Sequence, residues 1–167
     1  IFLANPEAVR MLHAVKRSTP NIEFAFLDND PRKHGTLFYG VPVLGGCERV
    51  GELNGEDVRF VNLITGSTRL RYETTCQLVD AGARLGQFVH PGIDLSMIRM
   101  GQGSYLQEGV LMQAEVTLGD NTSISAGSKV IIITTVIFTE SLPTFSFIFI
   151  RRCSRRRMPN CLSGSCT

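Results

Sequence analysis

Between positions 100 and 130 an aliphatic residue returns at every sixth place: Met100, Leu106, Met112, Leu118, Ile124 and Val130. Four residues after each of the first five stand Ser104, Val110, Val116, Thr122 and Ser128, all small or β-branched. Gly101 and Gly119 directly follow two of the register positions. A helix of about 3.6 residues per turn cannot hold a six-residue repeat on one face, and strand alternation gives no reason for the paired rule. A repeat of this kind is the signature of a parallel β-helix, in which each hexapeptide forms one short strand and one corner. The aliphatic side chain is expected to point into the coil, with the small one in the tight interior beside the turn. At three hexapeptides to a coil, the sequence supplies fewer than two full coils before the repeat stops.

Upstream the pattern is of another kind. Residues 1–4 read as a short apolar strand. Asn5 is a good N-cap, and Pro6 occupies the first helical position, where its missing N–H costs nothing. Ala8, Val9, Met11, Leu12 and Val15 then follow a helical face until Ser18-Thr19-Pro20 ends it. Residues 22–27 (IEFAFL) form a second strand, running into Asp28-Asn29-Asp30-Pro31. Strand, helix and strand in about thirty residues make a βαβ unit, whose strands are parallel. The stretch 34–46 (HGTLFYGVPVLGG) is punctuated by glycine, and 59–65 (RFVNLIT) reads as a third buried strand. Gly66-Ser67-Thr68 leads into a helix from Arg69 to about Asp80, with Leu70, Cys76, Leu78 and Val79 available for packing. Gly82 is placed to end it in the left-handed conformation. A last short strand at 87–89 precedes His90-Pro91. The organisation is α/β followed by β: a small Rossmann-like α/β domain over 1–91, a hexapeptide-repeat β-helix over 92–130, and a dissimilar tail over 131–167.

The net charge of +2 hides an asymmetry. Residues 1–130 carry twelve Lys or Arg against fourteen Asp or Glu, whereas 131–167 carry five Arg and the single Glu140. The basicity belongs to the tail, so the folded body is not expected to present a nucleic-acid surface. Five cysteines at 47, 76, 153, 161 and 166 lack paired spacing, which favours thiols in a reducing compartment over a disulfide framework or a zinc site. With no charged-then-apolar leader, a cytoplasmic location is expected, and the start at Ile1 rather than Met reads as a missing N-terminal piece.

The order and spacing of FLDND at 26–30, GVPVLGG at 40–46, the GSTRLR turn at 66–71, HP at 90–91 and the hexapeptides resemble the sugar O- and N-acyltransferases. This hexapeptide-repeat family is named after sialic acid O-acetyltransferases and includes enzymes acting on nucleotide-linked amino sugars. The resemblance covers residues 1–130. It implies a left-handed β-helix, a homotrimer, acetyl-CoA as co-substrate held between neighbouring subunits, and a nucleotide-sugar held by the N-terminal domain. Asp28 matches the acidic residue after the second strand, where open α/β sheets bind ligands; it would accept hydrogen bonds from a ribose or base, or else serve as a solvated turn residue bonded to its own backbone. Asn29 stands where a second acid is often found. Gly66 and Arg71 match the turn and first helical turn after the third strand, where backbone N–H groups would meet a phosphate and Arg71 would add charge, unless it is a solvated loop arginine. His90 reads as an ordered hinge residue beside Pro91 rather than a catalyst.

Two departures bear on activity. The first βα turn of the family carries a glycine-rich loop, but here it reads Leu3-Ala4-Asn5-Pro6-Glu7, without glycine and with a carboxylate at the helix start. The family's general base is a histidine in the coil following the SISAGS-type hexapeptide; here Ile133 stands at or beside that position, and His13, His34 and His90 all lie upstream. No catalytic residue is assigned. The tail beyond Val130 admits three readings: a change of reading frame that truncates the repeat, a membrane anchor over 130–150 followed by arginines but weakened by Glu140 and Pro143, or a short β-structured end. A membrane partner is not favoured. The sequence thus points to an acetyl-CoA-dependent sugar acetyltransferase by resemblance, truncated and catalytically incomplete, or alternatively to a non-catalytic sugar-nucleotide-binding or scaffold module. A dinucleotide oxidoreductase is disfavoured by the missing glycine fingerprint.

Overall fold

The computed structural model of the protein describes residues 1–131. Ile133 and the segment 132–167, on which the three readings of the tail rest, lie outside the described residues.

The first half is a small parallel sheet covered on both faces. Helix α1 (Pro6–Ser18) begins at Asn5, whose side chain accepts from the Ala8 N–H, with proline at the first helical position. Its buried face is Ala8, Val9, Met11, Leu12 and Ala14. The expected strands at 1–4, 22–27 and 59–65 appear as parallel bridges: Phe2 lies between Leu27 and Asn62, Phe26 pairs with Val43, and Phe60 with Leu85. The segments therefore run side by side in the order 43, 26–27, 2, 60–62, 85. Successive side chains go to opposite faces. Phe26, Val61 and Leu63 join Ala8, Met11 and Leu12 of α1 in one core, while Phe2, Leu27, Phe60 and Ile64 join Val50 and Leu78 in another. Val50 opens the short helix α2 (Val50–Leu53), and Leu78 comes from α3 (Thr68–Asp80). The glycine-punctuated stretch adds a hairpin, β1 (Leu37–Phe38) antiparallel to β2 (Val41–Pro42).

Helix α3 ends as its sequence requires. Gly82 adopts φ 89°, its N–H donates to the Val79 carbonyl, and Ala83 N–H donates to Leu78 O, both at 2.9 Å; this is the paired bonding of a Schellman cap. The packing face differs from expectation. Leu78 is buried as expected, but Leu70 and Val79 are exposed, and Arg71, Thr74 and Thr75 are buried in their place. A polar stripe is chosen because Arg71 and Thr75 find partners inward, as described below.

The hexapeptides build a coil. The strands are β3 (Phe88–Val89), β4 (Arg99–Met100), β5 (Tyr105–Leu106), β6 (Leu111–Met112), β7 (Thr117–Leu118), β8 (Ser123–Ile124) and β9 (Lys129–Val130). Each from β4 to β6 pairs in parallel with the strand eighteen residues later, β4 with β7, β5 with β8 and β6 with β9. Three hexapeptides thus complete one turn, and three ladders form its walls. Leu106, Leu118, Ile124 and Val130 are buried, with Met100 and Met112 packed against them; Ser104, Val110 and Val116 are buried beside the turns. Full burial of one such leucine contributes about 1.5–3 kcal/mol. The corners show a rule the sequence reading missed: Met97, Gly103, Gly109, Glu115, Asn121 and Gly127, again six apart, all have φ between 55° and 74°. Strand β3 pairs with β5, and Phe88 and Tyr105 stack at 5.8 Å within the first module's core. The coil's ladder therefore continues back into the α/β half.

Candidate functional site at the carboxyl edge of the sheet

Because the five segments are parallel, their carboxyl ends gather on one edge: Leu3-Ala4, Asp28-Asn29, Gly45-Gly46 and Ile64–Gly66. The chain leaves Phe2 toward Leu27 on one side and returns at Asn62 on the other, so the strand order reverses beside Phe2. Ligands of open α/β sheets occupy the crevice at such a point.

Asp28 is 5% exposed. One carboxylate oxygen accepts from the Ala4 N–H at 3.1 Å and from Lys33 Nζ at 2.6 Å, and the other accepts from the Asp30 N–H at 3.0 Å. Burial on its own raises this carboxyl, but the bonds from Lys33, Asp30 and Ala4 outweigh it and hold the group below the usual carboxylate range. The turn bond to its own backbone is present, yet the side chain is not solvated. Its carbonyl is 2.7 Å from His34 Nε2. Asn29 is exposed, and its Oδ1 accepts from the Cys47 N–H at 3.0 Å, tying the second and third segment ends together. Burial pushes the neighbouring Cys47 thiol up, against the Asn29 hydrogen bond. Gly66 is exposed, with no described atom within 4 Å of where a Cβ would lie, and it precedes Ser67, the cap of α3, which accepts from Leu70 N–H at 3.2 Å.

Arg71 sits elsewhere than the phosphate role requires. It is 5% exposed, and among the described residues its guanidinium donates only to main-chain carbonyls: Ile64 at 3.1 Å, Gly103 at 3.0 Å, Asn121 at 3.1 Å, and Asn62. Burial draws its pKa down to about 10. Neither a free phosphate ligand nor a solvated loop arginine fits this geometry. The side chain braces the Gly66 turn from behind and joins it to two stacked corners of the coil.

The first βα turn has a backbone that its residues alone do not announce. Leu3 has φ 78°, the left-handed conformation that glycine ordinarily supplies. Glu7 does not face the crevice with a bare charge: Arg10 grips it through Nη2 at 2.7 Å and Nε at 3.1 Å, and also pairs with Glu108 of the coil. Lys33 was not singled out in the sequence. The legible signal was Asp30-Pro31, which caps and opens a 3-10 turn over Pro31–Lys33 and brings residue 33 back onto Asp28.

His90 is held in place before Pro91: its Nδ1 accepts from Gly92 N–H at 3.1 Å, and its own N–H pairs with Leu106 O. A groove of about 520 Å³ lies at the opposite, amino end of the segments, between α1 and the hairpin, lined by His13, Lys16, Glu23, Phe24 and Tyr39 among others. Among the described residues no group of three or more His, Cys, Asp or Glu is placed to hold a metal, no disulfide joins Cys47 and Cys76, and no helix is long and apolar enough to cross a membrane.

No family model and no curated protein sequence matches the chain. Its fold does match solved structures. A perosamine N-acetyltransferase from Caulobacter crescentus, solved with CoA and GDP-perosamine, superposes with a TM-score of 0.63 at 24% identity, over 77% of this chain and 60% of that one. The acetyltransferase domain of PglB from Neisseria gonorrhoeae, solved with acetyl coenzyme A, gives 0.62 at 21% identity, over 78% and 62%. The chain therefore spans about 60% of the length of the structures it matches.

Proposed function

We propose that this chain belongs to the sugar O- and N-acyltransferases and binds a nucleotide-linked sugar at the carboxyl edge of a Rossmann-like domain. Acetyl-CoA is the co-substrate of the reaction it derives from. The observation that carries this reading is the combination of a ligand-type sheet edge with an eighteen-residue parallel coil, joined through Arg71. Support comes from the fold shared with structures that hold CoA and GDP-perosamine. In this reading the coil is left-handed, the assembly a homotrimer and the protein cytoplasmic.

In the reaction a base takes a proton from the sugar amine or hydroxyl, the freed lone pair attacks the thioester carbonyl, and CoA leaves as thiolate. On the substrate side, Asp28 offers its remaining acceptor position to a ribose or base. Asn29 holds the adjoining loop in place, and the turn at Gly66 leaves room for a phosphate near the start of α3. On the proton side the sequence Val130-Ile131-Ile132-Ile133-Thr134-Thr135 contains no side chain that takes a proton at neutral pH. The chain is thus a binder of nucleotide-sugar that does not turn it over.

Calorimetric titration with GDP- and UDP-linked amino sugars, run beside an assay for CoA thiol release from acetyl-CoA, separates the outcomes. Binding without thiol release is expected. Release above background would place a base elsewhere, and absence of binding to any nucleotide-sugar would remove the reading altogether.

A further inference from the structure

The sugar-nucleotide reading above needs a cation for the diphosphate, and the arginine expected to supply it is spent on carbonyls. Arg10 is gripped by Glu7 and Glu108, and Arg32 pairs with Asp30 at 2.8 Å. Lys33 is differently placed. Its ammonium rests at 2.6 Å on the same Asp28 oxygen that accepts the Ala4 N–H, so it stands one oxygen atom away from the turn that opens α1. Its side chain is 34% exposed and that of Asp28 only 7%. Anything arriving from solvent meets the cation before the carboxylate. The carboxylate is further shielded by two backbone N–H groups. An ammonium has three donors, and one is used on Asp28.

Resting on the proposed function, we infer that Lys33 is the charge that recognises the diphosphate of the bound nucleotide, with Asp28 as the residue that holds it in place. Asp28 then serves twice, aiming Lys33 at the ligand through one oxygen and keeping an acceptor position on the other for the ribose or base. The α1 backbone adds its positive end on the same side. Recognition of this kind is by charge, so it weakens as salt rises.

The test uses the full chain and the nucleoside diphosphates GDP, UDP, ADP and CDP as probes, by calorimetry at two salt concentrations. Lys33→Met is expected to lose at least tenfold in affinity for whichever diphosphate binds the wild type, and to lose most of the salt dependence. Lys33→Arg is expected to keep both within about threefold. Where Lys33→Met melts below the assay temperature, Lys33→Gln retains an N–H for Asp28 and removes only the charge. Wild-type binding that Lys33→Met or Lys33→Gln leaves unchanged overturns the inference while the function stands. If the wild type binds no nucleoside diphosphate, both are overturned.

Discussion

Glu115 is a charged residue doing the work of a glycine. It occupies one of six corners spaced six residues apart, at φ 67°, and three of the others are glycine and one asparagine. A residue with a Cβ in this conformation costs roughly 1–2 kcal/mol. Glu115→Gly is accordingly expected to stabilise the protein by about 1 kcal/mol and raise the melting temperature by about 3 °C in a calorimetric scan. An unchanged or lower melting temperature would show that the corner is not strained. Leu3 presents the same conformation at the crevice. There the sequence shows that glycine is absent, but a single sequence reports residue type and not the φ that Leu3 takes. Asp28 was legible as an acid at a strand end; its alternative as a solvated turn residue was not sustained, since solvation is set by Lys33 and Ala4, neighbours that chain order alone does not reveal.

Among elements, the coil was the most legible, since its inward residues obey a period that no other structure shares. The same period explains Gly101, which directly follows the register. A Cβ there would lie 2.5 Å from the Gly119 carbonyl carbon and closer still to the Asp120 nitrogen, so neighbouring coils meet backbone to backbone. Gly119 has no described atom within 4 Å of the corresponding point. Gly101→Ala is therefore expected to cost about 2 kcal/mol in urea unfolding, and Gly119→Ala less than about 0.5 kcal/mol. Equal costs would refute the close-approach explanation. Helix α3 was legible in its ends and misleading in its face. Its caps rest on local rules, whereas the choice of Arg71 and Thr75 over Leu70 and Val79 depends on carbonyls and an Asn121 side chain that lie as many as fifty residues away.

At the scale of the whole molecule, Arg71 is the tie between the sheet edge and the coil. Removing its guanidinium leaves four carbonyls short of donors, each unmet group costing about 1–3 kcal/mol when it stays buried. Arg71→Met is expected to destabilise by about 3 kcal/mol or more and to split the thermal transition into separate meltings of the two halves. Lysine should not rescue it, because a single ammonium cannot span the positions a planar fork reaches. A single transition at the wild-type temperature would show that the tie carries no weight. Nothing in the sequence marked this tie; a buried cation without a carboxylate partner among the described residues is visible only once the chain is folded. The pairing of strands eighteen residues apart also dictates how such a chain can change its length. One added residue inside a strand would turn every later side chain out of phase and set its corner residues against the next wall. Growth by whole turns, or by loops extruded at a corner, preserves the phase. A protein wound in this way lengthens by duplication and decorates itself at its edges, so its history is written in multiples of a turn rather than in single residues.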